Sequence, residues 1–257
     1  MEKKTMKHDL GGRVALVTGA TNGIGRAITL GLASRGASIK FSYHDDLDAL
    51  RELMTALETL GVPAQAYQVD ARSPASVGEM IGLLGDEHVD VLVNNVGITT
   101  RDGFLDVSEK AFDDVMHANM RFPFLLTQRI VKGMIARGGG GSIINISSIS
   151  AFKAISMMSH YQCSKAALSM LTKSLAVELA PHRIRVNTIS PGLTATKGNR
   201  HQWEGAPEIW RERGRDIPLG RAGTPADCVG AALLLASDDA AWITGADIVV
   251  DGGEAAI

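Results

Sequence analysis

Residues 13–25 read Arg13-Val14-Ala15-Leu16-Val17-Thr18-Gly19-Ala20-Thr21-Asn22-Gly23-Ile24-Gly25, and this stretch decides the fold. Its first half, 13–18, is a short apolar run of the kind that fits a strand buried on both faces. Three glycines follow. Beyond them apolar residues return at helical spacing (Ile24, Ala27, Ile28, Leu32), with Gly36 as the stop signal. A strand, a glycine turn and a helix in that order give a glycine motif its meaning. Gly19 permits a tight turn, Gly23 lets backbone approach a pyrophosphate, and Gly25 lets helix and strand pack closely. The first helical residues, Asn22 and Ile24 among them, offer unpaired N–H groups and a positive dipole end to phosphates. The bland alternative is a glycine-rich turn with no ligand.

Outward from this unit the same alternation continues. Strands are expected over 38–43, 64–69, 89–93, 142–147, 184–189 and 248–250. Helices are expected over 47–60, 74–84, from about 109 behind a Ser108 cap, and over 122–137, 159–179 and 224–236. Strands alternating with helices predict βαβ units and a parallel sheet covered on both faces, with right-handed crossovers. No repeat, low-complexity linker or second core interrupts the 257 residues, so one domain spans 1–257, with 1–12 as a tail. A net charge of −2 gives no pull toward nucleic acid or anionic membrane. No apolar run is long enough to span a bilayer, and the N-terminal residues lack the apolar region of a secretory signal. Cys163 and Cys228 fit neither a disulfide framework nor a metal-ligand spacing. They are expected to be buried, reduced thiols of a cytoplasmic protein.

The stretch 142–165, SIINISSISAFKAISMMSHYQCSK, is the candidate seat of chemistry. A strand delivers Ser147 and Ser148 to its carboxyl end, and a helix presents Tyr161 and Lys165 one turn apart on one face. A free tyrosine, with a pKa of about 10, is a poor base at neutral pH. A lysine cation beside it favours the phenolate and is expected to lower that value, making Tyr161 a usable general acid/base. Ser148 is placed to hydrogen-bond a substrate oxygen. Taken singly, a Tyr/Lys pair is more often packing plus a solvated ammonium, a serine pair a turn, and His160 a structural histidine.

The turn spacing TGxxxGxG resembles the signature of the short-chain dehydrogenase/reductase family, and further motifs follow in order along nearly the whole chain. Asn94-Asn95-Val96-Gly97 is similar to the family's NNAG with valine for alanine. Asn119 sits where the family has its catalytic asparagine, and Ser148, Tyr161 and Lys165 match its serine and YxxxK pair. Pro191-Gly192-Leu193-Thr194, with Thr196, resembles PGxxxT, and Asp70-Ala71 the adenine contact. The resemblance implies a Rossmann-type doubly wound parallel sheet of about seven strands. It implies a catalytic set of Asn119, Ser148, Tyr161 and Lys165, in which Lys165 also binds the nicotinamide ribose and Asn119 helps hold a proton-relay water. It implies a cofactor cleft formed by Gly19, Asn22, Gly23, Ile24, Gly25, Tyr43, His44, Asp70, Ala71, Asn95, Val96, Gly97, Tyr161, Lys165, Pro191, Gly192, Leu193, Thr194 and Thr196. No metal is called for. A homotetramer built through helices 122–137 and 159–179 is also implied.

At the end of the second strand, Tyr43 stands where NAD-preferring relatives carry aspartate, and His44 where NADP-preferring ones often carry arginine. The missing aspartate favours NADP; Asp45 and Asp46 favour NAD if they face the ribose, although capping the next helix is the better use of them there. Residues 152–158, with Met157 and Met158, are expected either to wall the substrate side or simply to pack in a loop. Residues 194–221 form a candidate lid carrying Trp203, Trp210 and five arginines (Arg200, Arg211, Arg213, Arg215, Arg221). These read as an anion-recognising set or, with their interleaved acids, as a solvated amphipathic helix. The expected activity is hydride transfer between a nicotinamide cofactor and a secondary alcohol or ketone, a sugar or polyol above all. The alternatives are reduction of a 3-oxoacyl group on a carrier protein, and a dinucleotide-binding sensor without turnover.

Overall fold

The computed structural model describes residues 8–200 and 204–257; the first seven residues of the expected tail and Trp203 of the candidate lid lie outside them. Seven strands form one wholly parallel sheet in the order β3-β2-β1-β4-β5-β6-β7. They are β1 (Val14–Val17), β2 (Ser38–Tyr43), β3 (Ala64–Gln68), β4 (Val91–Asn94), β5 (Gly141–Ile146), β6 (Ile184–Pro191) and β7 (Asp247–Val250). The order reverses between β1 and β4, so a crevice opens beyond the carboxyl ends of those two strands. The helices are α1 (Gly23–Ala33), α2 (Leu47–Thr59), α3 (Pro74–Leu84), α4 (Glu109–Met116), α5 (Phe122–Arg137), α6 (Ser159–Leu179), α7 (Pro207–Arg215) and α8 (Val229–Ala236).

Strand alternation divides the interior into two layers. Ala15, Val17, Val91, Val93, Ile144 and Ile146 face α1, α2 and α8, meeting Ile28, Leu32, Leu53, Leu57 and Leu235. Leu16, Leu92 and Ile143 point the opposite way, toward Val77 and Met80 of α3, Phe122, Leu126 and Ile130 of α5 and Ala176 of α6. Successive residues feed opposite faces because the side-chain period of a strand is two. Both faces are apolar, so the strands read as continuous hydrophobic runs.

Local signals set the ends. Ser73 and Ser108 accept from Ser76 N–H and Ala111 N–H and so cap α3 and α4. The expected helix over 224–236 divides. Thr224 and Asp227 form a capping box around a 3₁₀ turn, Pro225–Cys228, before α8 begins. Between α4 and α5 one π turn, His117–Arg121, widens the helix. Pro123, near its far end, has no N–H to give the Asn119 carbonyl. Among the described residues no helix is long and apolar enough to cross a membrane.

One polar chain runs through this apolar interior. Asn94 Nδ2 donates to Asn145 Oδ1 (2.8 Å) and Thr127 Oγ1 (3.0 Å), and Asn145 Nδ2 donates to Thr172 Oγ1 (2.8 Å). The Thr188 hydroxyl also reaches Thr172 Oγ1 (2.8 Å), so β4, β5, β6, α5 and α6 are tied together beneath the crevice. Asn145→Ala removes two buried hydrogen bonds and leaves one N–H of the Asn94 amide without its acceptor, and it is expected to cost about 2–3 kcal/mol in urea unfolding; a loss below about 0.5 kcal/mol would show the chain to be dispensable.

Candidate active site

The crevice floor is the β1–α1 turn. Gly19 and Gly23 adopt φ of +64° and +56°, the left-handed region glycine enters without strain. Gly25 is required by space: a Cβ there would stand 2.3 Å from the Gly19 carbonyl oxygen and 2.5 Å from Asn95 Nδ2. Asn22 precedes α1 without capping it through its side chain. The end of β4 is sewn to this turn. Asn95 Nδ2 donates to the carbonyls of Thr18 (2.9 Å) and Gly19 (3.1 Å), while Thr18 Oγ1 accepts from the N–H groups of Asn95 and Val96 (2.9 and 3.1 Å). Thr18 was not among the expected site residues, although it stands inside the motif that pointed to them.

Asn119, Ser148, Tyr161 and Lys165 come from three segments. The π turn aims the fully buried Asn119 at Ile98, whose N–H donates to Oδ1 (2.8 Å) and whose carbonyl accepts from Nδ2 (2.9 Å). The same Nδ2 reaches Ser164 Oγ (3.0 Å), which donates back to the Tyr161 carbonyl (2.7 Å). Ser164, next to Lys165, thus ties the asparagine to α6, a partnership no motif announces. Ser148 follows β5, accepts from Ser150 N–H (3.1 Å) and stands close enough to Tyr161 to favour its phenolate. Lys165 is buried, donates to the Ile146 carbonyl (2.8 Å) and lies 5.8 Å from the centre of the Tyr161 ring. A Cβ on Gly97 would stand 2.9 Å from its ammonium nitrogen, so glycine there leaves room for the lysine.

At the far end of the crevice Tyr43 closes β2 and His44 follows, its Nδ1 3.0 Å from Asp45. The Asp70 carboxylate is taken by Arg72 (2.9 Å) and held below its ordinary range, and the Asp70 N–H goes to Ser76 Oγ (2.9 Å). Ala71 follows it. On the opposite wall Pro191 ends β6, Gly192 N–H donates to the Val250 carbonyl (3.0 Å), and Leu193 N–H donates to Glu254 (2.8 Å). The Thr194 hydroxyl donates to the Gly192 carbonyl (3.0 Å), and the Thr196 side chain lies 3.5 Å from where a Cβ on Gly23 would be. Glu254 is a second unforeseen partner, brought in from the C-terminal turn.

A family model described as enoyl-(acyl carrier protein) reductase matches residues 19–254. L-xylulose reductase of Mesocricetus auratus is 37% identical over 248 residues, 95% of this chain and 97% of its own. The chain belongs to the short-chain dehydrogenase/reductase family. It is 37% identical to the 2-dehydro-3-deoxy-D-gluconate 5-dehydrogenase of Escherichia coli (strain K12) over 246 residues, 95% of this chain and 96% of that protein. A 3-oxoacyl (acyl-carrier-protein) reductase from Agrobacterium tumefaciens C58, solved with NADP bound, superposes with a TM-score of 0.90 at 29% identity. That superposition covers 98% of this chain and 97% of the other. Like its relatives, this short-chain dehydrogenase/reductase is an NAD(P)-dependent oxidoreductase of CH–OH groups. The cradle fits the dinucleotide: the Gly25 site has no room for a side chain, and the first amides of α1 are not capped by Asn22.

The electrostatics correct one expectation. Lys165 was to pull the Tyr161 phenol down. Burial instead pushes the phenol above its ordinary value, with the neighbouring Ser148 side chain acting against it. Lys165 itself is driven down to about 8 by burial. Water is lost around both groups, and that loss disfavours the charged form of each. A second correction concerns the thiols. Cys228 is buried and its thiol is pushed up to about 11, chiefly by burial, but Cys163 is exposed on α6. It lines a hollow of about 550 Å³ with Phe104, Phe112 and His160, between the first turns of α4 and α6. His160, buried, pairs through Nε2 with Thr100 Oγ1 (2.7 Å).

In 152–158, Phe152 and Met157 are half exposed while Met158 is buried and precedes α6. The arginines of 194–221 mostly find local acids: Arg200 with Glu204 (2.9 Å), Arg211 with Glu208 (2.6 Å) and Arg221 with Asp227 (2.8 Å). These pairs favour the solvated-face reading. Arg213 instead lies over the Trp210 ring at 5.6 Å.

Proposed function

We propose that the protein interconverts a secondary alcohol and a ketone on a small sugar, polyol or sugar acid. The convergence of Asn119, Ser148, Tyr161 and Lys165 beside the β1–α1 cradle carries this reading. A nicotinamide dinucleotide bound in the cradle supplies or accepts the hydride. Tyr161 moves the proton on the substrate oxygen, giving it in reduction and taking it in oxidation. Ser148, beside Tyr161, holds that same oxygen and stabilises charge developing on it. Lys165, fixed by the Ile146 carbonyl, keeps a cation beside the phenol and faces the ribose side of the cleft. Asn119, clamped to Ile98 and Ser164, gives this end of the site its rigidity. Exposed Phe124 on α5, with Met170 and Val177 on α6, supports assembly of a homotetramer through these helices. Two unpaired thiols fit a cytoplasmic setting.

The substrate class is supported by relatives that act on a ketopentose and a keto-sugar acid. Its test is a spectrophotometric screen of sugars, polyols, aldonates, simple ketones and 3-oxoacyl carrier thioesters with NADH and NADPH in parallel. Turnover of sugars, polyols or aldonates is expected to exceed that of the carrier thioesters at least tenfold. The reverse order would move the activity to fatty-acyl chemistry, and cofactor binding with no turnover on any class would leave a sensor.

A further inference from the structure

Among the described residues, neither the end of β2 nor the glycine turn brings a lysine or arginine to the adenine-ribose end of the cleft, and Arg72, beside Ala71, is held by Asp70. β2 ends on Tyr43, His44 follows with Asp45 against its ring, and the glycine turn offers Asn22. A cation arrives from elsewhere. Lys197 begins the short turn Lys197–Asn199, which Thr196 and Asn199 close as a capping box. Its ammonium pairs with the Asp46 carboxylate, 151 positions away in sequence. The other oxygen of Asp46 accepts from Ala49 N–H (3.0 Å) and caps α2, while Asn22 Nδ2 lies 3.5 Å from the oxygen that Lys197 holds. Three segments therefore meet on one carboxylate: the glycine turn, the start of α2 and the chain beyond β6.

The charges around this point are nearly balanced. Asp45, Asp46 and Asp70 supply the negative side; Lys197, Arg72 and, when protonated, His44 supply the positive side. Arg72 is committed to Asp70 through two hydrogen bonds of 2.9 Å. Lys197 makes a single-point contact, and its side chain remains 52% exposed against 30% for Asp46. The contact is strong enough to rank first among the influences that hold the Asp46 carboxyl at about 2. An exposed ion pair of this kind nevertheless exchanges partners at little cost. A phosphate with nearly two negative charges and three acceptor oxygens is a better partner for an ammonium than a single carboxylate is.

We propose that Lys197 reads the 2′-phosphate of the dinucleotide. With NADP it leaves Asp46 for the phosphate, and with NAD it stays on Asp46 and neutralises it. One side chain thus lets the cleft accept both forms, and the cation that the end of β2 and the glycine turn lack is supplied from the far wall. The inference rests on the dinucleotide reading of the cleft but not on any substrate.

Equilibrium binding tests it without turnover. NADPH and NADH are titrated by fluorescence, and 2′,5′-ADP and 5′-AMP by calorimetry, into the intact protein. Lys197→Met is expected to weaken NADPH and 2′,5′-ADP about tenfold, the scale of one charge-assisted contact. It should leave NADH and 5′-AMP within twofold. Asp46→Asn, which keeps a helix-capping side chain, is expected to tighten NADPH several-fold by freeing the ammonium. Raising salt should erode the wild-type preference for the phosphorylated form and not that of Lys197→Met. Equal weakening of both dinucleotides in Lys197→Met would make the residue a simple clasp between walls and overturn the proposal, as would an unchanged ratio. A wild-type protein that binds neither dinucleotide would overturn the cofactor reading itself; one that binds both, with Lys197→Met unaltered, overturns only this inference.

Discussion

Tyr161→Phe is expected to lower kcat by about 10³-fold while cofactor affinity stays within twofold. The ring keeps its volume and its place on α6, and Lys165 keeps its bond to the Ile146 carbonyl, so the cleft retains its shape. What disappears is the hydroxyl beside Ser148 that is proposed to exchange a proton with the substrate oxygen, and positioned acid/base groups contribute about 10²–10⁴ in rate. The pH profile gives a second check. Burial lifts the phenol above its usual value, so the protonated form dominates at neutral pH. Ketone reduction, which needs that form, should hold through neutral pH and fall only in the alkaline range. Alcohol oxidation, which needs the phenolate, should climb as pH rises. The residual rate of Tyr161→Phe should show neither limb. Wild-type kcat in that variant would remove Tyr161 from the chemistry.

Gly25→Ala is expected to abolish dinucleotide binding and to cost about 3 kcal/mol of stability. The added methyl would meet the Gly19 carbonyl at 2.3 Å and Asn95 Nδ2 at 2.5 Å. Neither can retreat. Gly19 N–H is held by Ser42 Oγ (3.1 Å), and the same Asn95 amide bridges the carbonyls of Thr18 and Gly19. Relief must come from moving α1, whose first amides are the proposed phosphate cradle, so the packing penalty of about 1–3 kcal/mol and the binding loss have one cause. Gly78→Ala on α3 is the matched control. Nothing lies within 4 Å of its added carbon, and alanine favours a helix by about 1 kcal/mol over glycine. Urea unfolding and dinucleotide titration of both variants decide the matter; near-wild-type stability and affinity in Gly25→Ala would show that the turn yields more readily than its hydrogen bonds imply.

Much of the scaffold was legible because its signals are local. The runs 38–43, 74–84, 122–137 and 159–179 became β2, α3, α5 and α6 with the same limits, since apolar period, a Ser73 cap and a Gly138 stop are written within a few residues of each end. β4 starts two residues later than its apolar run, at Val91, because the Asp90 carboxylate accepts Val14 N–H (2.8 Å) before the ladder begins. Of the two uses open to Asp46, facing the ribose or capping the next helix, it caps α2. Its pairing with Lys197 was invisible, as was the clasp of Glu254 on Leu193 N–H. Each joins segments more than sixty residues apart that only the winding of the sheet brings together.

The sequence by itself determined the alternation of strands and helices, the family, and the set of side chains that meets at the crevice, because hydrophobic period and motif spacing are properties of neighbouring residues. Tertiary structure decided what those side chains become. Exposure of Cys163, the turning of Lys165 toward the Ile146 carbonyl, and the opposite shifts of Tyr161 and Lys165 all depend on what the completed fold packs around each group. Desolvation is set by every atom that replaces water, and no short stretch of chain contains that information.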